Sequence, residues 1–240
     1  MHEPQAPRGL KAAFRGAQLK PTVILLVTPV LLTTWKYFGS YQFYLENLAG
    51  RAGAWGDPTA AAATYSFLAA LVLLGIVPAL VVKLVFRERL ADYGVGLGDR
   101  FRTVRSFLVL APLLIAAAWL ASRSPAMAAE YPINKSAASG PGAFASHALV
   151  YAAFYLGWEF YFRGFMQFGL RESLGDVSAL LVQVACSVLL HIGKPATEVY
   201  AAIGGGILWG IFAFRTRSLL SGLLQHLVLG LALDWFLCFG

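Results

Sequence analysis

The stretch "GWEFYFRGF", Gly157 to Phe165, sets a carboxylate and a guanidinium one helical turn apart in apolar surroundings. Glu159 and Arg163 are four residues apart with the acid N-terminal, the favourable order for an ion pair on a helix. The ordinary reading is a satisfied pair that pins helix packing. The chemical reading is a general base, because a carboxylate withdrawn from water takes a proton more readily and a neighbouring cation holds it in place. Two histidines follow in the same half of the chain, His191 and His226. A lone histidine at a helix end is more often structural than catalytic. Two imidazoles beside a buried Glu–Arg pair supply a base, proton carriers or metal ligands, and donors for an oxyanion.

The elements that would position these groups are apolar. Of 240 residues, 58% are hydrophobic and 13% charged, against about 25% charged in an ordinary soluble domain. Runs approaching or exceeding the ~20 residues that cross a bilayer are expected at 21–38, 61–86, 106–122, 144–170, 177–192, 199–214 and 219–239. The expected fold is an all-α polytopic transmembrane helical bundle of about seven spans. It divides into a basic cytoplasmic N-terminal arm (1–20), N-terminal transmembrane helices (21–122) and a catalytic four-helix core (144–240). An aromatic linker, "GSYQFYLENLAGRAGAWGDP", is expected along the interface, and "RERLADYGVGLGDRFRTVR" is too polar to span. "RSPAMAAEYPINKSAASGPG" reads as an irregular loop. In "RESLGD", Asp176 is placed to cap the next helix, and the glycines of "IGGGILWG" permit close helix approach. Cys186 and Cys238 read as small buried hydrophobes.

The net charge of +7 does not imply nucleic acid, because the basic residues cluster at the ends of apolar runs. That pattern encodes topology. The arm, the loop after the second run and the "RTRS" turn are all basic and an even number of crossings apart, so all are expected in the cytoplasm. No small-residue cleavage site closes the first run, which reads as an uncleaved span. Short loops and no retention signal point to a bacterial inner membrane. By rise per residue, Glu159 and His226 fall at similar depths in a core about 30 Å thick, with His191 roughly 12 Å nearer the outside.

"GWEFYFRGF", His191 and "RTRSLLSGLLQH" resemble the CPBP family of intramembrane proteases, the CAAX-protease and bacteriocin-processing group. That family's pattern is Glu-Glu-x-x-x-Arg, often finishing Phe-Arg-Gly, then Phe-x-x-x-His, then His-x-x-x-Asn or Asp. Phe162-Arg163-Gly164 matches, and the likeness covers roughly 87–240, clearest from 150 to 230. There are departures. Trp158 stands where the family's first glutamate is expected, Ser187 where its phenylalanine is, and Gly230 where its Asn or Asp is. Asp234 is tempting as a substitute, but eight residues of helix rise about 12 Å, too far to join His226 at one ion.

The resemblance implies hydrolysis of a membrane-tethered protein or peptide: a prenylated tail, a leader, or a C-terminal sorting segment. Glu159 would activate water, Arg163 would orient it, and His191 and His226 would stabilise the oxyanion, bind a metal, or both. A catalytic zinc takes about three protein ligands, so Glu159 or Glu198 would have to join His191 and His226. The lost third family position favours a glutamate-dependent, metal-free site. Glu198 otherwise reads as a solvated or helix-terminal acid, Lys194 as a solvated turn lysine, His147 as interfacial, and the tryptophans as packing. Two other functions fit the same residues: a non-catalytic peptide-binding or immunity protein, and a proton-coupled transporter. A transporter usually carries internal repeats, and none is visible.

Overall fold

Asp57 begins an apolar helix of 29 residues by accepting from Thr59 N at 2.9 Å, with Pro58 in the first turn where its missing N–H costs nothing. The computed structural model describes residues 9–50 and 57–240; residues 1–8 of the basic arm and 51–56 of the aromatic linker, Trp55 included, lie outside them. The helices are α1 (Leu19–Phe38), α2 (Tyr41–Asn47), α3 (Pro58–Phe86), α4 (Arg100–Ser122), α5 (Pro125–Glu130), α6 (141–174), α7 (Asp176–Leu190), α8 (Ala196–Thr216) and α9 (Leu220–Phe239). No strand occurs among the described residues.

Among the described residues five helices are long and apolar enough to cross a membrane: Gly16–Phe38, Pro58–Phe86, Arg100–Ser122, Ala196–Thr216 and Leu220–Phe239. The other two apolar runs expected from the sequence fall in the helices that hold the candidate site, α6 and α7, which are not among these five. α6 carries Glu159, Arg163, Arg171 and Glu172, and its stretch Phe160–Phe168 is buried at every residue. α7 has 15 residues, about 22 Å of rise against a hydrocarbon core of about 30 Å. The outward faces of the long helices are apolar, with Val30, Leu108, Leu113 and Leu120 each more than 60% exposed. That is a surface made for lipid rather than water.

Several boundaries moved for local reasons. α4 starts at Arg100 rather than Ser106 because Asp99 accepts from Arg102 N at 2.9 Å. Asp176 is not a side-chain cap: it lies in the first turn of α7 and pairs with Arg171 at 3.0 Å, while Gly175 at φ 78 makes the turn. The loop before α6 is less irregular than its composition suggests, since it forms α5 and a short 3₁₀ helix, Lys135–Ser139. α2 occupies part of the aromatic linker, begun by Ser40 accepting from Phe43 N at 3.1 Å.

The basic segments gather at one end. Lys20 pairs with Glu88 at 2.9 Å and Glu172 at 3.0 Å. Asp99 N donates to Thr216 O at 2.8 Å, Leu219 N to Gly94 O at 3.0 Å, and Arg102 to Arg215 O at 3.2 Å. At the other end Lys194 pairs with Glu130, Tyr131 donates to Glu198 at 2.6 Å, and Ser136 to Asp57. Of the glycines in "IGGGILWG", Gly206 and Gly210 allow close approach to α7, where an added Cβ would lie 3.2 Å from Val184 and 2.2 Å from Leu180; Gly204 faces open space.

Candidate active site

α6 changes geometry at the candidate carboxylate. Glu159 ends its α-helical part, and Phe160–Phe168 continues with the wider i→i+5 turn. The same widening occurs twice in α3, at Leu71–Ile76 and Val81–Phe86, so by itself it does not mark the site. Arg163 lies inside it, with Nη1 3.3 Å from Glu159 Oε1, and both side chains are 2% exposed. The guanidinium also lies over Trp209 of α8, 5.7 Å from the ring centre.

From α9, His226 reaches the same oxygen, with Nδ1 2.8 Å from Glu159 Oε1. A carboxylate accepts, so Nδ1 carries the proton and Nε2 is left with its lone pair. The His226 ring is sandwiched between Tyr155 and Trp209, each 4.3 Å away between centres. The acid and imidazole that depth arithmetic put at one level therefore touch, with Arg163 beside them.

His191 is the residue that ends α7. Its Nδ1 donates to the Ser187 carbonyl at 2.7 Å, and Trp158 packs edge-on to its ring at 5.5 Å. This imidazole, too, is left with Nε2 as an acceptor. No hydrogen bond joins it to Glu159 or His226 among the described residues. The two rings instead line one cavity of 500 Å³, together with Trp158, Tyr155, Lys194 and Glu198. Glu159 is not on the cavity wall; His226 stands between it and that space.

Each ring thus donates Nδ1–H to an oxygen and keeps Nε2 free, which is how metal-ligating histidines are usually held. Yet among the described residues no three His, Cys, Asp or Glu side chains are arranged to hold an ion. The donor set falls short of the three ligands a catalytic zinc takes.

Other sequence expectations change. His147 is not interfacial: it is buried, and its Nε2 lies 2.8 Å from Asp234 Oδ2. Asp234 therefore has a partner of its own and does not serve His226. Glu198 is a helix-terminal acid, in the first turn of α8, that accepts from Tyr131 on the cavity wall, and burial together with that carboxylate holds the Tyr131 phenol well above its usual pKa. Lys194 is not free but pairs with Glu130 and lies 4.7 Å from the Tyr131 ring centre. Trp158 and Trp209 are packing residues, as expected, and what they pack against is the two histidines.

Two departures from the family pattern have a steric origin. A Cβ on Gly230 would lie 2.2 Å from the Tyr155 hydroxyl, so Tyr155 fills the volume an Asn or Asp there would need. Trp158 is 4% exposed and packs with Trp35, Phe154 and Phe162, leaving an aromatic wall where a second carboxylate is expected. Tyr155 carries no sequence signal beyond its spacing from Glu159.

Residues 142–232 match a family model described as Rce1-like, type II CAAX prenyl endopeptidase Rce1-like. Over those residues the chain is similar to the CPBP/CAAX protease family. The match takes in Glu159, Arg163, His191 and His226. No curated protein and no solved structure matches the chain. The family that this region matches is one of endopeptidases.

Proposed function

We propose that this protein hydrolyses a peptide bond in a membrane-tethered protein or peptide, using water activated at the Glu159–His226 pair. The observation that carries the reading is the 2.8 Å contact between His226 Nδ1 and a buried carboxylate, on a ring that lines a cavity large enough for a peptide segment. Glu159 fixes the imidazole in the tautomer that keeps Nε2 basic, and it stabilises the imidazolium once formed. Arg163 is a positioning residue that holds Glu159.

Water at Nε2 gives up a proton as its oxygen attacks the scissile carbonyl carbon. The tetrahedral adduct collapses when the same proton passes to the leaving amine nitrogen and the C–N bond breaks. This assigns water activation to the pair, because Glu159 alone does not face the cavity. His191 lines the same space; with Nδ1 committed to Ser187, it donates to the oxyanion only when doubly protonated. His191 and His226 would also be the residues to meet a zinc ion, which acts as a Lewis acid when bound, but the steps above use neither a metal nor a third ligand.

The substrate is a prenylated tail, a leader or a C-terminal sorting segment, and the setting is a bacterial inner membrane with the N-terminus in the cytoplasm. Substitution of Glu159 by Ala, assayed on a tethered peptide in proteoliposomes, tests the reading. Cleavage should fall by at least about 100-fold, the contribution typical of a general base. Cutting at the wild-type rate would leave a binding or transport role.

A further inference from the structure

The cavity and the basic segments occupy opposite ends of the bundle. Its wall is built from the end of α1 (Trp35, Lys36), the start of α2, the residues around Tyr131, and the end of α7 with Lys194 and Glu198. The far end holds Arg87, Arg89, Arg100, Arg102, Arg215 and Arg217, tied together by the contacts of Asp99, Leu219 and Arg102. Lys20 at the start of α1 joins that end through Glu88 and Glu172. The cavity end has far fewer basic residues, with Lys36, Arg123, Lys135 and Lys194 among them. Lysine and arginine in short loops stay in the cytoplasm, and acidic residues count for little. The basic end is then cytoplasmic, and the cavity opens on the other face.

We propose that the substrate is the membrane-anchored segment of an exported protein, presented to the cavity from the non-cytoplasmic side. This rests on the hydrolase reading and narrows it. Among the substrate classes above, it selects a translocated sorting or leader segment. A tail lipidated in the cytoplasm presents its bond at the wrong end, separated from His226 by the packed stretch Phe160–Phe168. The wall suits an apolar anchor that ends near a polar boundary. Trp35, Phe67, Tyr151 and Phe154 form its aromatic part, while the Lys194–Glu130 and Tyr131–Glu198 pairs form its rim.

Two measurements separate this proposal from the activity itself. In the first, Lys36→Cys and Arg89→Cys are made singly in a chain whose Cys186 and Cys238 are replaced by alanine. Intact cells are then treated with a membrane-impermeant maleimide. Lys36 is an exposed cavity residue, and the Arg89 side chain is 80% exposed at the other end. Lys36→Cys should label in intact cells and Arg89→Cys only after lysis; the reverse pattern overturns the proposal. In the second, the unaltered protein meets one cleavable segment placed on either side of a single transmembrane anchor. Only the non-cytoplasmic version should be cut, by at least tenfold over the other, and preferential cutting of the cytoplasmic version overturns the proposal. Labelling as expected with neither version cut supports the side assignment and refutes the hydrolase reading.

Discussion

Gly222 of α9 faces the candidate carboxylate, and its replacement by alanine strikes the proposed dyad while both of its side chains are retained. A Cβ there would lie 2.5 Å from Glu159 Oε2 and 3.4 Å from Cδ. The closer contact is roughly 1 Å short of ordinary van der Waals separation. The carboxylate must therefore move by about that much, taking Oε1 out of the 2.8 Å contact with His226 and beyond hydrogen-bonding range. A hydrogen bond to a charged group contributes about 1.5–3 kcal/mol. If the transition state depends on it, the rate falls by roughly 10- to 150-fold. Overpacking costs about 1–3 kcal/mol of stability, so unfolding must be followed beside turnover; Gly222 is the third residue of α9. Gly204→Ala is the control, since nothing lies within 4 Å of its added Cβ. The assay is turnover of a tethered peptide in proteoliposomes, with thermal unfolding in detergent measured on the same preparations. A folded Gly222→Ala protein that cuts at the wild-type rate would refute the claim that the Glu159–His226 contact drives the chemistry.

Gly230→Ala sets a methyl 2.2 Å from the Tyr155 hydroxyl. It should destabilise by about 1–3 kcal/mol, read as a lowered Tm, and Tyr155→Phe in the same chain should restore much of the loss. Restoring the family's glutamate with Trp158→Glu should not raise activity. It removes an aromatic packed against Phe162 at 4.6 Å and buries a second charge, a loss of about 3–5 kcal/mol that detergent unfolding would register. Asp234→Ala leaves His147 buried alone and should cost about 3–5 kcal/mol. The double change His147→Leu with Asp234→Leu should unfold closer to wild type than Asp234→Ala does, because a buried pair replaced by apolar groups is often neutral.

The acid, its cation and one imidazole could be found in the sequence because ionisable groups at membrane depth are costly and rare. The Glu159–Arg163 spacing and the depth of His226 then needed only helical rise to bring them together. The partner of His191 is a backbone carbonyl on its own helix, so side-chain pattern gave no sign of it. His147 and Asp234 lie 87 residues apart and pair only through the packing of α6 on α9. The widened turn at Phe160–Phe168 has no proline to announce it and contains only Gly164. The burial of α6 along Phe160–Phe168 and the shortness of α7, with 15 residues, were not visible in apolar runs alone. Gly230 reads as a loss until Tyr155 is seen to fill its space.

The central claim is that water, activated by His226 on Glu159, is added across a peptide bond of a tethered segment. Purified protein in proteoliposomes, given such a segment in ¹⁸O-labelled water, tests it most directly. The new carboxyl terminus should carry ¹⁸O with the wild-type protein. Neither Glu159→Gln nor His226→Ala should form that product at more than about one hundredth of the rate. Labelled product formed at the wild-type rate by either variant, or no product from the wild-type protein on any tethered segment, would contradict the account.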